Sequence, residues 1–295
     1  MRTLVVTADD FGLAEEVNAA VEAANRNGIL TAASLMVNGA AAADAVRRAR
    51  RLPGLHVGLH VALVDAVPVL PPERIPGLVD RGGRLRRDLA GLGVELAYRP
   101  AQRAQMRAEI RAQFERYRAT GLALDHVDAH HHFHLHPIVA RDLISIGVGY
   151  GMRALRVPSE PRRVLASIEP HRQGLQLVGL CAWWLRALAH SAGLLTPDAV
   201  LGLAWSGALT RDRLIGLLNH LPPGLIEIHA HPATTDTFAG HAGGYRYAEE
   251  LDALCAPAVR AALGRSGFRL GSYGEAAEAR VNSAIDRGQE CIKVL

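Results

Sequence analysis

Residues 125–136 read Asp-His-Val-Asp-Ala-His-His-His-Phe-His-Leu-His. They follow a strand-like run, Leu122–Val127, and precede Pro137, a residue suited to the first turn of a helix. The stretch therefore reads as the junction of a βα unit. Six of the chain's 14 histidines lie in these twelve positions. Imidazole is the commonest metal ligand and titrates near neutral pH, so the cluster points to a metal site or to proton transfer. If the segment is extended, His130, His132, His134 and His136 share one face with Asp128, and His131 points away. A surface tract or an affinity tag is the plainer alternative. The internal position and the interleaved Phe133 and Leu135 argue against a tag.

The same alternation continues outward. Thr3–Ala8 is followed by a helical pattern at Glu15–Asn27, stopped by Gly28. Ala32–Asn38 leads to Ala40–Arg51, and Leu55–Val61 leads, after an insertion, to Ala101–Thr120. Leu122–Val127 pairs with Pro137–Tyr150, and Leu155–Pro158 with Leu175–Ala192. Val200–Trp205, Leu225–Ala230 and Phe268–Gly271 each precede a further helical pattern. About eight βα units predict an α/β fold: an irregular TIM-like (β/α) barrel with parallel strands and outer helices. We expect one barrel domain over residues 1–282 and a loosely held tail over 283–295. The Pro-, Gly- and Arg-rich insertion spans about 68–100, and its role is open.

Composition narrows the class. The chain has 295 residues, 49% hydrophobic and 21% charged, which is ample for a core. No signal peptide is evident at the start, and the apolar stretch 174–195 carries Gln176, Arg186 and His190, poor for a membrane span. Cys181, Cys255 and Cys291 are odd in number and widely spaced, so they read as reduced thiols in a cytoplasmic protein. The net charge is +4, with basic groups at 47–51, 84–87 and 162–163. Solvated faces are the plain reading; contact with anionic membrane surfaces or phosphates is the alternative. Zinc-finger, RRM and KH motifs are missing, so nucleic acid is not an expected partner.

The chemistry-bearing residues fall at strand ends. Asp9 and Asp10 follow the first strand, His60 ends the third, His130 follows the fourth, and His231 follows Leu225–Ala230. In βα barrels the site lies at the carboxyl ends of the strands, so four distant segments converge on one mouth. Asp10, His60 and His130 would form a two-histidine, one-carboxylate site with room for water and substrate. Helix capping by the Asp9-Asp10 pair and core packing of His56 or His60 remain alternatives.

Thr-Ala-Asp-Asp-Phe-Gly at 7–12, Val-Gly-Leu-His at 57–60, Asp-Ala-His-His-His-Phe-His at 128–134 and His-Pro at 231–232 resemble the YdjC-like carbohydrate deacetylases, in the family's order and over about residues 3–275. Val69-Leu70-Pro71-Pro72, Leu-Gly-Leu-Ala-Trp-Ser at 201–206 and Gly244-Tyr245-Arg246 look closer to the branch associated with hopanoid biosynthesis. The resemblance implies an N-deacetylase with one divalent metal ion, Zn2+ or Mg2+. It makes Asp10, His60 and His130 ligands, Asp9 the general base and His231 a protonated general acid. It makes His132, His134, Asp128, Tyr245 and Arg246 substrate contacts or supports of the site.

The implied substrate is an N-acetylglucosaminyl hopanoid lipid, or a soluble chitooligosaccharide in the sister branch. The long insertion and the apolar Trp183-Trp184 segment depart from the chitooligosaccharide branch. That segment suggests peripheral contact with the inner membrane surface, helped by Arg162, Arg163 and Arg186. A homodimer is part of the same expectation. Other metal amidohydrolases usually place an HxH pair on the first strand, where this chain has Asp9-Asp10. A non-catalytic sugar- or lipid-binding barrel would not need Asp9 and His231 beside the triad. A redox metalloenzyme lacks any visible electron carrier.

Overall fold

The computed structural model describes residues 2–169 and 176–280. In chain order the elements are β1 (Arg2–Phe11), α1 (Glu15–Asn27), β2 (Ala32–Leu35), α2 (Ala42–Ala49), β3 (His56–Val61), α3 (Leu89–Tyr98), α4 (Pro100–Ala119) and β4 (Val127–Ala129). They continue as α5 (Pro137–Gly149), α6 (Arg162–Ala166), α7 (Gln176–Ser191), β5 (Ala199–Leu201), α8 (Arg211–Asn219), β6 (Gly224–Ala230), α9 (Tyr247–Cys255), α10 (Pro257–Ser266) and β7 (Arg269–Leu270). Every strand pair is parallel, in the order β4-β3-β2-β1-β6-β5. β7 joins the edge of β1 at Thr3 and Leu4, ahead of the stretch that β2 occupies from Thr7. The expected α/β, TIM-like architecture is present.

The barrel is less regular than eight equal units. The expected strand Leu155–Pro158 is reduced to single bridges, Val127 to Leu155 and Ala154 to Leu195. It still spans the gap between sheet edges: Arg156 N–H donates to Val127 O at 3.0 Å, and Val200 N–H donates to Ser159 O at 2.9 Å. Pro158 removes a donor, which limits any longer ladder there. The strand expected at 122–127 lies later, at Val127–Ala129, where it pairs with Leu59–Val61. The insertion is not unstructured. It holds a short 3-10 turn at Pro72–Arg74, a bridge between Val79 and Leu85, and α3. The expected tail at 283–295, with Cys291, lies outside the described residues; Cys181 and Cys255 are free, half-buried thiols.

Alternation along the strands sorts the side chains into two environments. Leu4, Val6 and Ala8 of β1, with Ile226, Ile228 and Ala230 of β6, join the main apolar core under the helices. Val5 belongs to a separate small cluster with Ala32, Ala154 and Tyr273, which plugs the barrel. Above that plug the interior is polar. Val5 pairs with Glu227, and Thr7 with His229, so Asp9 follows in the same row. His60 of β3 lies in register with Asp128 of β4. The fold thus carries a buried polar column up the barrel axis to its carboxyl end.

Candidate metal centre and active site

Asp9 and Asp10 reach the same mouth because β1 does not end as a regular strand. Its register against β2 shifts between Ala8 and Phe11, and Asp10 has φ 61°, in the left-handed region. An irregularity of this kind re-aims a side chain, so sequence neighbours no longer point to opposite faces. Both aspartates are buried and line one cavity of about 560 Å³, together with His60, His130, His132, His231 and Tyr245.

Asp10 Oδ1, His60 Nε2 and His130 Nδ1 form a triangle. Its edges are 3.2 Å (Asp10 to His130), 3.4 Å (His60 to His130) and 3.6 Å (His60 to Asp10). Zinc bonds of about 2.0–2.2 Å at tetrahedral angles would separate donor atoms by about 3.4 Å. Asp10 Oδ1 is buried and makes no hydrogen bond. Three buried carboxylates, Asp9, Asp128 and Glu227, share one buried guanidinium, Arg156, and Asp10 adds a fourth buried carboxylate, so negative groups outnumber the fixed cation. The donor set, its spacing and its charge fit a divalent cation. His60 Nδ1 bonds Asp128 Oδ1 at 2.9 Å, a carboxylate partner that fixes Nε2 toward the triangle. Burial disfavours a charged His60, yet Asp128 outweighs it and pushes the imidazole up to about 9. Burial likewise opposes ionisation of Asp10, but His130 and His60 hold it well below the usual carboxylate range. Both shifts come from carboxylates and imidazoles crowded together in a buried site.

The histidine run is not extended. His130–Leu135 forms a 3-10 turn in which His131 and His132 have φ of 54° and 53°. The expected single face of alternating histidines is therefore corrected, because two left-handed residues rotate the side chains apart. His130 joins the triangle. His131 is exposed at the rim, and His132 lines the cavity beside His229, with ring centres 5.7 Å apart. His134 is fully buried and meets Arg156 O through Nε2 at 2.9 Å, so it supports the turn rather than touching the cavity.

Asp9 sits beside the triangle. Arg156 grips it at both oxygens, Nη1 to Oδ2 at 2.7 Å and Nη2 to Oδ1 at 2.8 Å. Burial alone would raise its pKa, but Arg156 holds it well below the ordinary value. His229 Nδ1 and His231 Nε2 lie 3.6 and 4.0 Å from Asp9 Oδ2. Burial pushes His231 down to about 4, with Asp9 only partly opposing. Burial thus disfavours a charged His231 until a proton is delivered to it.

Tyr245 lines the cavity, its ring 5.3 Å from that of His231 and its hydroxyl 3.3 Å from Ser206 Oγ. Gly207 makes room for it: a Cβ there would lie 2.2 Å from the Tyr245 ring. Arg246 does not reach the cavity, because its guanidinium pairs with Glu249 at 2.8 Å on the surface. Asp128 contacts His60 and Arg156 and does not line the cavity.

Arg156 and Glu227 escaped the sequence reading. Arg156 is fully buried, bonding Asp9, Asp128 and both oxygens of Glu227, while Tyr273 donates its hydroxyl to Glu227. A signal was present: each is a lone charged residue in an apolar strand-like run, Ala-Leu-Arg-Val and Leu-Ile-Glu-Ile. A charge is placed there only when paired.

The sequence of residues 3–265 matches the model of the YdjC-like protein family. A carbohydrate deacetylase from Geobacillus stearothermophilus is 32% identical over 278 residues, covering 93% of this chain and 98% of the relative. A chitooligosaccharide deacetylase from Klebsiella pneumoniae is 33% identical over 278 residues, covering 92% and 98%. Among solved structures, a proposed cellobiose-phosphate cleavage protein from Enterococcus faecalis superposes with a TM-score of 0.73 at 23% identity, over 93% of this chain and 98% of that one, and so shares its fold. With the motif residues gathered at one barrel mouth, this chain belongs to the YdjC-like protein family.

Proposed function

We propose that this protein is a metal-dependent carbohydrate deacetylase that removes the acetyl group from an N-acetylglucosaminyl substrate, giving acetate and a free amine. The observation that carries it is the triangle of Asp10 Oδ1, His60 Nε2 and His130 Nδ1 on the cavity wall, with Asp9 and His231 beside it. The names of the Geobacillus and Klebsiella relatives support the same reaction class.

A divalent cation on that triangle supplies Lewis acidity, lowering the pKa of a water and polarising an acetamide carbonyl. The remaining work falls to the chain. Asp9, ionised and fixed by Arg156, accepts the proton of the attacking water through Oδ2. His231 Nε2 lies 4.0 Å from that oxygen, close enough for the proton to be passed on to it. His231 then delivers it to the departing nitrogen, which leaves as an amine rather than as a high-energy amide anion. The proton His231 gives is then the one Asp9 received.

The finer reading is a lipid-linked N-acetylglucosaminide. Its support is the resemblance to the hopanoid-associated branch and the exposed apolar pair Leu180 and Trp183 on α7, at 72% and 70% exposure. A soluble chitooligosaccharide is the second reading, favoured by the name of the Klebsiella relative. The test is acetate release from an N-acetylglucosaminyl lipid and from chitobiose, each with and without chelator. Release from neither, with Zn2+ or Mg2+ supplied, would overturn the deacetylase reading.

A further inference from the structure

A second cavity adjoins the first. It has a volume of about 520 Å³ and runs along α3, in the insertion, sharing His131, His132 and Leu135 with the catalytic cavity. α3 is apolar on two sides. Leu92, Gly93 and Leu96 are buried against the body of the protein. Ala90, Val94, Ala97 and Tyr98 lie at i, i+4, i+7 and i+8, one helical face, and are exposed. Val94 is 63% and Tyr98 81% exposed. Charged side chains keep off this face: Glu95, the only charged residue of α3, pairs with Arg86 at 2.9 Å. Gly93 lets the helix lie close to the histidine turn, since a Cβ there would meet His136 Cδ2 at 3.2 Å and Phe133 Cε2 at 3.9 Å. The result is a shallow trough, apolar along α3, whose inner rim of His131, His132 and Leu135 is the wall of the catalytic cavity.

We propose that this trough binds the apolar aglycone of an N-acetyl glycoside whose acetamido sugar occupies the catalytic cavity. The proposal rests on the deacetylase reading for the placement of the sugar. Continuity at His131, His132 and Leu135 selects this occupant. A chain attached to a sugar beside His130 crosses that rim onto Val94 and Ala97. The insertion is then the element that reads the non-reacting part of the substrate.

The test is calorimetric binding of methyl and decyl β-N-acetylglucosaminides to the full-length, metal-loaded protein, below the micelle concentration of the decyl compound. Acetate release is followed in parallel. Each methylene moved from water to an apolar site contributes about fourfold in binding, so partial burial of the chain predicts at least about tenfold tighter binding of the decyl glycoside. Val94→Asp, which places a charge in the trough, and Ala97→Trp, which fills it, should each remove most of that advantage. Both positions have exposed side chains, and binding of the methyl glycoside should stay unchanged. Equal affinity for the two glycosides, or an advantage that survives both variants, would overturn the proposal. So would a wild-type dimer that Val94→Asp converts to monomer, since a second copy would then cover the trough. Tight, trough-dependent binding without acetate release would keep the trough and sink the deacetylase reading instead.

Discussion

Arg156 holds both oxygens of Asp9, at 2.7 and 2.8 Å, from a strand-like segment on the far side of the barrel interior. The same guanidinium reaches Asp128, the partner of His60, so one cation links the proposed base to the proposed metal ligands. Removing one member of a buried ion network leaves the others unpaired in a dry interior. Arg156→Met should therefore destabilise the fold by about 3–5 kcal/mol. Arg156→Lys keeps the charge but not the fork, and should recover part of the stability and little of the activity. Denaturant unfolding of the three proteins, with acetate release, checks both. A Met variant as stable as the parent would show that the network is not held by its cation.

Metal binding should follow the triangle. His60→Ala and His130→Ala should each lower the metal content read by elemental analysis, and chelation should abolish turnover. Asp128→Asn leaves all three donors in place but weakens the partner of His60 Nδ1. Loss of such a partner typically costs about 10–100-fold in metal affinity. Full metal content in both alanine variants would remove these histidines from the coordination sphere.

Proton transfer should separate from metal binding. Asp9→Asn should retain the ion and lose turnover by about two to four orders of magnitude. His231→Ala should do the same for a sugar acetamide. An activated anilide departs without much help, so it should be slowed far less. Equal slowing of both substrates would remove His231 from the delivery of the proton.

The pH response of the metal-free protein has a definite sign. Its His60 pKa is raised to about 9, mainly by Asp128 against the opposing effect of burial. The stability this group contributes is fully present below its unfolded value of about 6.5 and is lost as pH rises through about 9. The melting temperature of chelator-treated protein should fall across that window, and less so in His60→Gln. Because a cation and a proton compete for Nε2, metal affinity should rise by up to about tenfold per pH unit between 7 and 9. A pH-independent affinity would show that Nε2 carries no proton in the empty site.

On α7 the two tryptophans part ways. Trp183 is exposed beside Leu180, whereas Trp184 is half-buried with the Arg141 guanidinium 5.6 Å from its ring centre. Arg186, expected with Arg162 and Arg163 to help hold the protein at a membrane surface, donates to Thr196 Oγ1 and to the backbone oxygens of Pro197 and Asp198. Among the described residues no helix is long and apolar enough to cross a membrane. Trp183→Ser should therefore weaken binding to anionic vesicles several-fold, with soluble-substrate turnover unchanged, while Trp184→Ser should lower the melting temperature. Unaltered vesicle sedimentation of Trp183→Ser would remove α7 from any membrane contact.

The sequence by itself determined the alternation of elements and the converging strand ends. Glu15–Asn27 was legible to the residue, and Pro137 marked the start of α5, because periodicity and caps are local properties. Asp9, Asp10, His60, His130 and His231 were legible because polar residues at the carboxyl ends of barrel strands share one mouth. Tertiary structure decided the rest. The left-handed turn at His131 and His132 sent four histidines to four environments, which a strand-like alternation could not foresee. The fork of Arg156 on Asp9 joins residues 147 apart in sequence, and the downward push on the His231 pKa follows from burial that only the closed barrel creates. Placement of α3 against the histidine turn likewise required the packed structure, since an apolar helix in an Arg-rich insertion does not say which neighbour it meets. Local pattern fixes which residues gather at the barrel mouth. Long-range packing fixes their charge states and their partners.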